Sequence, residues 1–239
     1  MNALWEGNPV INRGAFKIAN NFLTENELQY CIQLAEERYS SKERTHGTDS
    51  KYGHIDWFNF RLDTKNLAIS KFKSKFHLQE DDITLSVIYY LNPNAFIHSH
   101  RDLTGASVNN RIRFHIPLIT NPNVVFNVNN ENVYMSPGEL WVLDTSYKHS
   151  VFNGGGKTRA HIVIECKTNS HIKKYLFNDF ASRIHTVEFA IWAMTKFTQS
   201  IFINSIKDPK YFKSQMKMLW DFLINKTDSR TSAKKSQKY

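Results

Sequence analysis

The chain has 239 residues, 41% of them hydrophobic and 13% aromatic, which is enough apolar surface for one sizeable core and excludes a disordered chain. Its net charge of +9 invites a nucleic-acid partner, but Arg230, Lys234, Lys235 and Lys238 crowd the acid-free last eleven residues. Without those four the charge falls to +5, so the basic end reads as a solvated tail and no nucleic-acid partner is expected. With only two cysteines, Cys31 and Cys166, and no apolar amino-terminal h-region, the expectation is a cytoplasmic protein with no structural disulfide and no membrane association.

Thr24-Glu25-Asn26-Glu27 has the form of a capping box, opening a helix to about Tyr39 in which Leu28, Cys31, Ile32 and Ala35 share one face. Residues 40–63 are polar with scattered aromatics, including His46, His54, Trp57 and Phe58, and read as an ordered loop or short strands able to cover a pocket. A second helix is expected over Asn66 to Phe76.

From Ile83 the texture turns to short β-branched and aromatic runs. About eight strands are expected, near Ile83 to Leu91, Phe96 to His100, Arg111 to Leu118, Val124 to Val128, Val133 to Met135, Leu140 to Leu143, His149 to Phe152 and Arg159 to Cys166. Asn92-Pro93-Asn94, Asn121-Pro122-Asn123, Asn129-Asn130, Pro137-Gly138 and Gly154-Gly155-Gly156 each favour a reversal between them. Eight such strands imply a jelly roll, or double-stranded β-helix.

Helical texture returns over Ile172 to Ala181, Thr186 to Ile203 and Lys210 to Ile224; Glu188, Lys196 and Gln199 interrupt the most apolar of these stretches, so it falls short of a bilayer span. Its aromatics Phe189, Trp192, Phe197 and Phe202 are expected in the core, with a homodimer contact through the C-terminal helices as the alternative. The fold class is therefore α+β: a jelly-roll, cupin-like core at 83–167 between an N-terminal helix-and-loop region at 1–82 and C-terminal helices at 168–228. A flexible tail follows at 229–239, and the whole is expected to form one domain.

His100-Arg101-Asp102, then His149, then Arg159 carry the chemistry. Two imidazoles and a carboxylate on one face of ferrous iron leave positions for a chelating co-substrate and dioxygen. A guanidinium ten residues past the distal His can meet the far carboxylate of a dicarboxylic co-substrate, for which 2-oxoglutarate is the candidate. A second His-x-Asp, His54-Ile55-Asp56, precedes the strand region and would need a third ligand from the polar loop or from a distant turn. Strand context favours the first, since alternation puts His100 and Asp102 on one face at a strand exit. His98 is a spare imidazole that would serve if the register differs, and His161 is left outside the metal shell. Arg111, Arg113 and His115 alternate opposite Ile112, Phe114 and Ile116; they form either a solvated charged face or the cationic lining of a barrel mouth.

These residues resemble the aspartyl/asparaginyl β-hydroxylase-like 2-oxoglutarate and iron(II)-dependent dioxygenases, a group that includes bacterial proline cis-4-hydroxylases. The resemblance covers roughly Ile83 to Glu165 and is carried by His100-Arg101-Asp102, Arg111-Ile112-Arg113-Phe114-His115-Ile116-Pro117-Leu118, Gly138-Glu139-Leu140-Trp141, His149 and Arg159. It implies iron at His100, Asp102 and His149, and a salt bridge from Arg159 to the distal carboxylate of 2-oxoglutarate. It further implies contacts of Arg113 and His115 with co-substrate or substrate carboxylates, and a substrate-side role for Arg111. Some members that modify protein side chains lack the triad carboxylate; with Asp102 kept, the chain looks closer to the bacterial small-molecule enzymes. The expectation is hydroxylation of a free amino acid or similar small carboxylate, consuming dioxygen and releasing succinate and carbon dioxide. Hydroxylation of an Asp or Asn residue in a protein, and a cupin-like metal-binding or sugar-binding barrel without redox chemistry, are the alternatives.

Overall fold

A computed structural model describes residues 13–41, 55–102, 110–176 and 180–207. Nine strands lie among the described residues: β1 (Ala15–Ala19), β2 (Ile55–Arg61), β3 (Ile83–His100), β4 (Arg111–Ile119), β5 (Val124–Val128), β6 (Glu131–Val133), β7 (Leu140–Leu143), β8 (His149–Asn153) and β9 (Arg159–Lys167). They hydrogen-bond in the order β1-β7-β4-β9-β3-β8-β5-β6, with β2 on β3. All pairs are antiparallel. This is the jelly roll.

The largest departure from the sequence reading lies in β3. Asn92-Pro93-Asn94 does not reverse the chain; β3 runs 18 residues through it, with Asn94 at φ 62°. Both flanks find partners, Ile83 to Leu91 on β9 and β2, and Phe96 to His100 on β8. The turn residues therefore act as a bulge at which one strand passes from pairing with β9 to pairing with β8. Ladder bonds on either side outweigh the local turn preference.

β1 and the regular strand β2 are additions to the expected barrel. Five residues of β1 carry too little pattern to stand out, and β2 gains its regularity from the β3 edge. Strand β6 sits two residues earlier than expected, because Asn129 and Asn130 both adopt positive φ and turn the chain at once, pairing Val128 with Glu131. The turns at Asn121, at Gly138 (φ 79°) and at 154–156 fall where expected.

Among the described residues two α-helices precede β3. The first, α1 (Glu25–Ser40), opens on the capping box, with Thr24 Oγ1 accepting from Glu27 N and Glu27 Oε2 accepting from Thr24 N at 2.7 Å. The second, α2 (Leu67–Phe76), is capped by Asn66. Their apolar faces, with Leu28, Cys31, Ala35, Phe72 and Phe76, pack on Ile112, Phe114, Ile116 and Ile162 of β4 and β9. The opposite faces of those strands thus look into the barrel, where a second core gathers around Leu91, Phe126, Val128, Leu143 and Val151. Cys31 and Cys166 are separate buried thiols.

After β9 come the short α3 (Ser170–Lys173) and a single long α4 (Phe180–Lys207). The helices expected at 172–181 and 186–203 differ from these because no Gly or Pro breaks the chain between Phe180 and Lys207. The expected helix at 210–224 and the tail lie outside the described residues, as do His46 and His54. Two compact units divide the chain at Thr186/Val187, inside α4, and the sheet with its cavity belongs to the first. Within the second, Phe189 is buried and stacks on Trp192. Among the described residues no helix is long and apolar enough to cross a membrane.

Candidate metal centre

His100 at the end of β3 and His149 at the start of β8 face each other as cross-strand partners. Asp102 follows two residues past β3, its N–H donating to Thr145 O at 2.9 Å in the loop before β8. One donor atom from each of His100, Asp102 and His149 lies within 4.8 Å of the others, the one such group among the described residues. His100 Nδ1 is 2.6 Å from the carbonyl of His98, and His149 Nδ1 is 3.0 Å from that of Tyr147. A carbonyl only accepts, so both Nδ1 atoms carry the hydrogen and both Nε2 lone pairs face the centre.

Protonation agrees with a ligand role. Burial, reinforced by His100, pushes His149 down to about 4, so its ring is neutral. Burial works against the Asp102 carboxylate, but Arg113, His149 and His100 more than offset it and hold its pKa below the ordinary value. A neutral imidazole and an ionised carboxylate are the forms that bind a metal. The donor set, two nitrogens and one oxygen, suits iron(II) with open positions.

Arg113 has its guanidinium between two carboxylates, with Nη1 donating to Asp102 Oδ2 at 2.6 Å and Nη2 to Glu165 Oε2 at 3.1 Å. Arg113 and Glu165 sit directly opposite on β4 and β9. Burial opposes the guanidinium charge, yet Asp102, Tyr89 and Glu165 raise its pKa above the ordinary value. The resemblance implied a cation for co-substrate or substrate; in this structure the fork is taken up by carboxylates. Glu165 was not foreseen, since it lies in an apolar run and only the strand register reveals its partner.

A cavity of about 610 Å³ opens at the centre, lined by the three candidate ligands and also by Trp57, Tyr89, Arg113, His115 and Arg159. That volume is in the range of small-molecule sites, roughly 300–1,000 Å³. Arg159 is only 3% exposed. Burial brings it down to about 9, and among the described residues no carboxylate pairs with it. Its guanidinium lies over the Phe126 ring at 5.5 Å and its Nη2 is 2.9 Å from His161 Nδ1. Arginine only donates, so His161 Nδ1 accepts and the ring is the neutral Nε2–H tautomer. His115 is buried with neither ring nitrogen hydrogen-bonded, and burial, aided by Arg159, holds it well below the usual histidine range.

The other candidates separate clearly. Arg111 is exposed at the start of β4, opposite Lys167, and does not line the cavity. Asp56 is also exposed and accepts from Asn92 Nδ2, away from the centre. His98 lends its carbonyl rather than its ring to the ligand set, the ring standing edge-on to Phe96. Trp57 and Tyr89, paired at 5.5 Å, form an aromatic wall that the sequence reading left unassigned. Trp57 belongs to the polar segment expected to cover a pocket.

The model of the aspartyl/asparaginyl beta-hydroxylase family matches residues 23–169. Among solved structures, a Pseudomonas putida prolyl-4-hydroxylase is similar at 13% identity and a TM-score of 0.50, over 66% of this chain and 95% of that one. A Trichoplax adhaerens prolyl hydroxylase, solved with a hypoxia inducible factor peptide fragment, is similar at 15% identity and a TM-score of 0.50, over 68% and 87%. A non-heme alpha ketoglutarate dependent epimerase from nogalamycin biosynthesis shares 10% identity at the same TM-score, over 65% and 78%. At these identities the structural likeness is one of fold.

Proposed function

The chain belongs to the aspartyl/asparaginyl β-hydroxylase family, a family of dioxygenase-type hydroxylases, and from that premise we propose that it uses iron(II), 2-oxoglutarate and dioxygen to hydroxylate a free amino acid or similar small carboxylate. Iron would be held by His100, Asp102 and His149. When bound it would supply the coupled oxidation in which 2-oxoglutarate and dioxygen give succinate and carbon dioxide, the second oxygen atom entering a C–H bond as hydroxyl.

One observation carries the reading: Arg159, a buried guanidinium with no carboxylate partner among the described residues, shares one cavity with a His-Asp-His ligand set. A lone buried cation is unfavourable until an anion reaches it. The distal carboxylate of 2-oxoglutarate meets that need through two parallel charge-assisted hydrogen bonds. His161, as acceptor, fixes one edge of the fork so that the rest faces inward. Neutral His115 offers an unspent ring nitrogen for the same ligand or its neighbour. Arg113 holds Asp102 by Oδ2, leaving Oδ1 toward His100 at 3.6 Å. The Trp57 and Tyr89 wall gives the substrate an apolar surface and keeps water from it.

Anaerobic titration of iron(II) and 2-oxoglutarate into the protein tests this directly. A visible charge-transfer band that requires both additions, and is lost in His149→Ala, is the expected result. Well-folded protein without the band would refute the assignment. A screen that then finds hydroxylation of peptides only would refute the small-carboxylate substrate.

A further inference from the structure

We propose that His185, on α4, is a positioning residue for the metal centre, clamping the loop of residues 144–148 from which two of the three ligands are aligned. The inference rests on the ligand assignment above. His185 lies beyond residues 23–169, the segment matched by the family.

The loop joins β7 to β8 and supplies two backbone acceptors. Thr145 O takes the Asp102 N–H at 2.9 Å, and Tyr147 O takes His149 Nδ1 at 3.0 Å. A shift of this loop therefore moves a carboxylate and an imidazole together. His185 reaches it in two ways. Its ring stacks flat on Tyr147, with centroids 3.5 Å apart and planes 9° from parallel. Its Nε2 is 2.9 Å from Ser146 Oγ, which in turn is 2.7 Å from Asp144 Oδ1.

Proton counting sets the direction of that chain. A hydroxyl has one hydrogen, and a carboxylate can only accept. Ser146 must donate to Asp144, so it accepts from a protonated Nε2 of His185. The series resembles a nucleophilic triad only in composition: Asp144 accepts from the serine rather than the imidazole, and His185 cannot take the serine proton. Its role is mechanical. Ser146 and Thr145 are buried, so the clamp works away from bulk water, where such bonds hold a geometry firmly.

Partners that orient a ligating side chain typically account for about 10- to 100-fold in metal affinity. The test titrates Co(II) alone into full-chain protein, following its visible bands, for wild type, His185→Phe and His185→Gln. Phe keeps a flat ring over Tyr147 and loses the donor; Gln keeps an N–H donor. Amide exchange of the Asp102 and Tyr147 N–H groups is followed in the same proteins without metal. His185→Phe is expected to weaken Co(II) about 10-fold and speed exchange, with His185→Gln within about 3-fold of wild type. Wild-type affinity and exchange in His185→Phe, or equal losses in both variants, would overturn the proposal. If wild type itself takes no Co(II), the metal reading fails, while the exchange data still judge the clamp.

Discussion

The two ends of the cavity are built on opposite electrostatic plans. At the metal end every charge has an answer: Asp102 lies against Arg113, Arg113 against Glu165, and both imidazoles are tied to carbonyls. At the other end Arg159 is buried with a neutral histidine and an aromatic ring for company. The first end has its charges balanced before a metal arrives, whereas the second meets a counter-charge only with an anion. The difference separates a region whose ligand atoms are held in place by protein partners from one whose charge awaits a ligand.

Replacing each arginine by an apolar residue of similar length should therefore have opposite effects. Arg113→Met leaves two carboxylates without their cation and is expected to destabilise by about 3–5 kcal/mol. Arg159→Met removes an uncompensated buried charge and is expected to stabilise the protein by about 1–4 kcal/mol when no 2-oxoglutarate is present. Urea denaturation of metal-free protein measures both. Destabilisation by the two changes alike would break the contrast.

The pH dependence sharpens it. His149 titrates near 4 in the fold, below its ordinary 6.5, chiefly through burial. Between those values the unfolded chain binds the proton and the folded chain does not, so stability rises with pH there and is lost on acidification from about 6.5 toward 4. For His149 the loss is on the order of 3 kcal/mol. Buried His115 and His161 are shifted the same way and add to it. Arg159, brought down to about 9, works at the other extreme: its penalty is full at neutral pH and lifts as pH rises through 9. Urea midpoints of metal-free protein should fall between pH 7 and pH 5; a flat profile would show that these imidazoles are not buried neutral.

Ligand affinity comes next in size. A net contribution of roughly 1.5–3 kcal/mol for a hydrogen bond to a charged group means that Arg159→Ala should weaken 2-oxoglutarate by about 10- to 150-fold. Co(II) affinity measured without 2-oxoglutarate should stay as it was. Calorimetric titration distinguishes the two, and a parallel loss of metal would show that the ends are not independent.

How far the residues alone disclosed this contrast depends on what each relation spans. The alternation Arg111, Arg113, His115 against Ile112, Phe114, Ile116 was readable because it lives within one strand, although which face met water was not. Only packing of α1 and α2 on the apolar face turns the other one inward. The ligand set was readable because His100 and Asp102 share a strand exit and His149 opens a later strand. Glu165 and His185 were not, since their roles depend on register between β4 and β9 and on the approach of a helix to a loop. The bend in β3 was misread as a reversal for a related reason: a local turn preference was overruled by long-range pairing on both flanks.

The smallest expected effect probes the loop that His185 holds, from its other side. Asp144 N donates to Gly14 O at 2.8 Å, so the chain entering β1 braces the same loop. A Cβ on Gly14 would stand 2.7 Å from Val128 Cγ1 and 3.1 Å from Tyr147 Cβ. Neither neighbour has free space to retreat, because Val128 is fully buried and Tyr147 nearly so. Gly14→Ala is therefore expected to cost about 1–3 kcal/mol through overpacking. Because the strain enters through Tyr147, whose carbonyl orients His149, part of it should appear as weaker Co(II) binding, with the 2-oxoglutarate end untouched. Loss of stability with Co(II) affinity unchanged would mean that the loop absorbs the strain before it reaches the ligands, and would confine the brace to holding the fold.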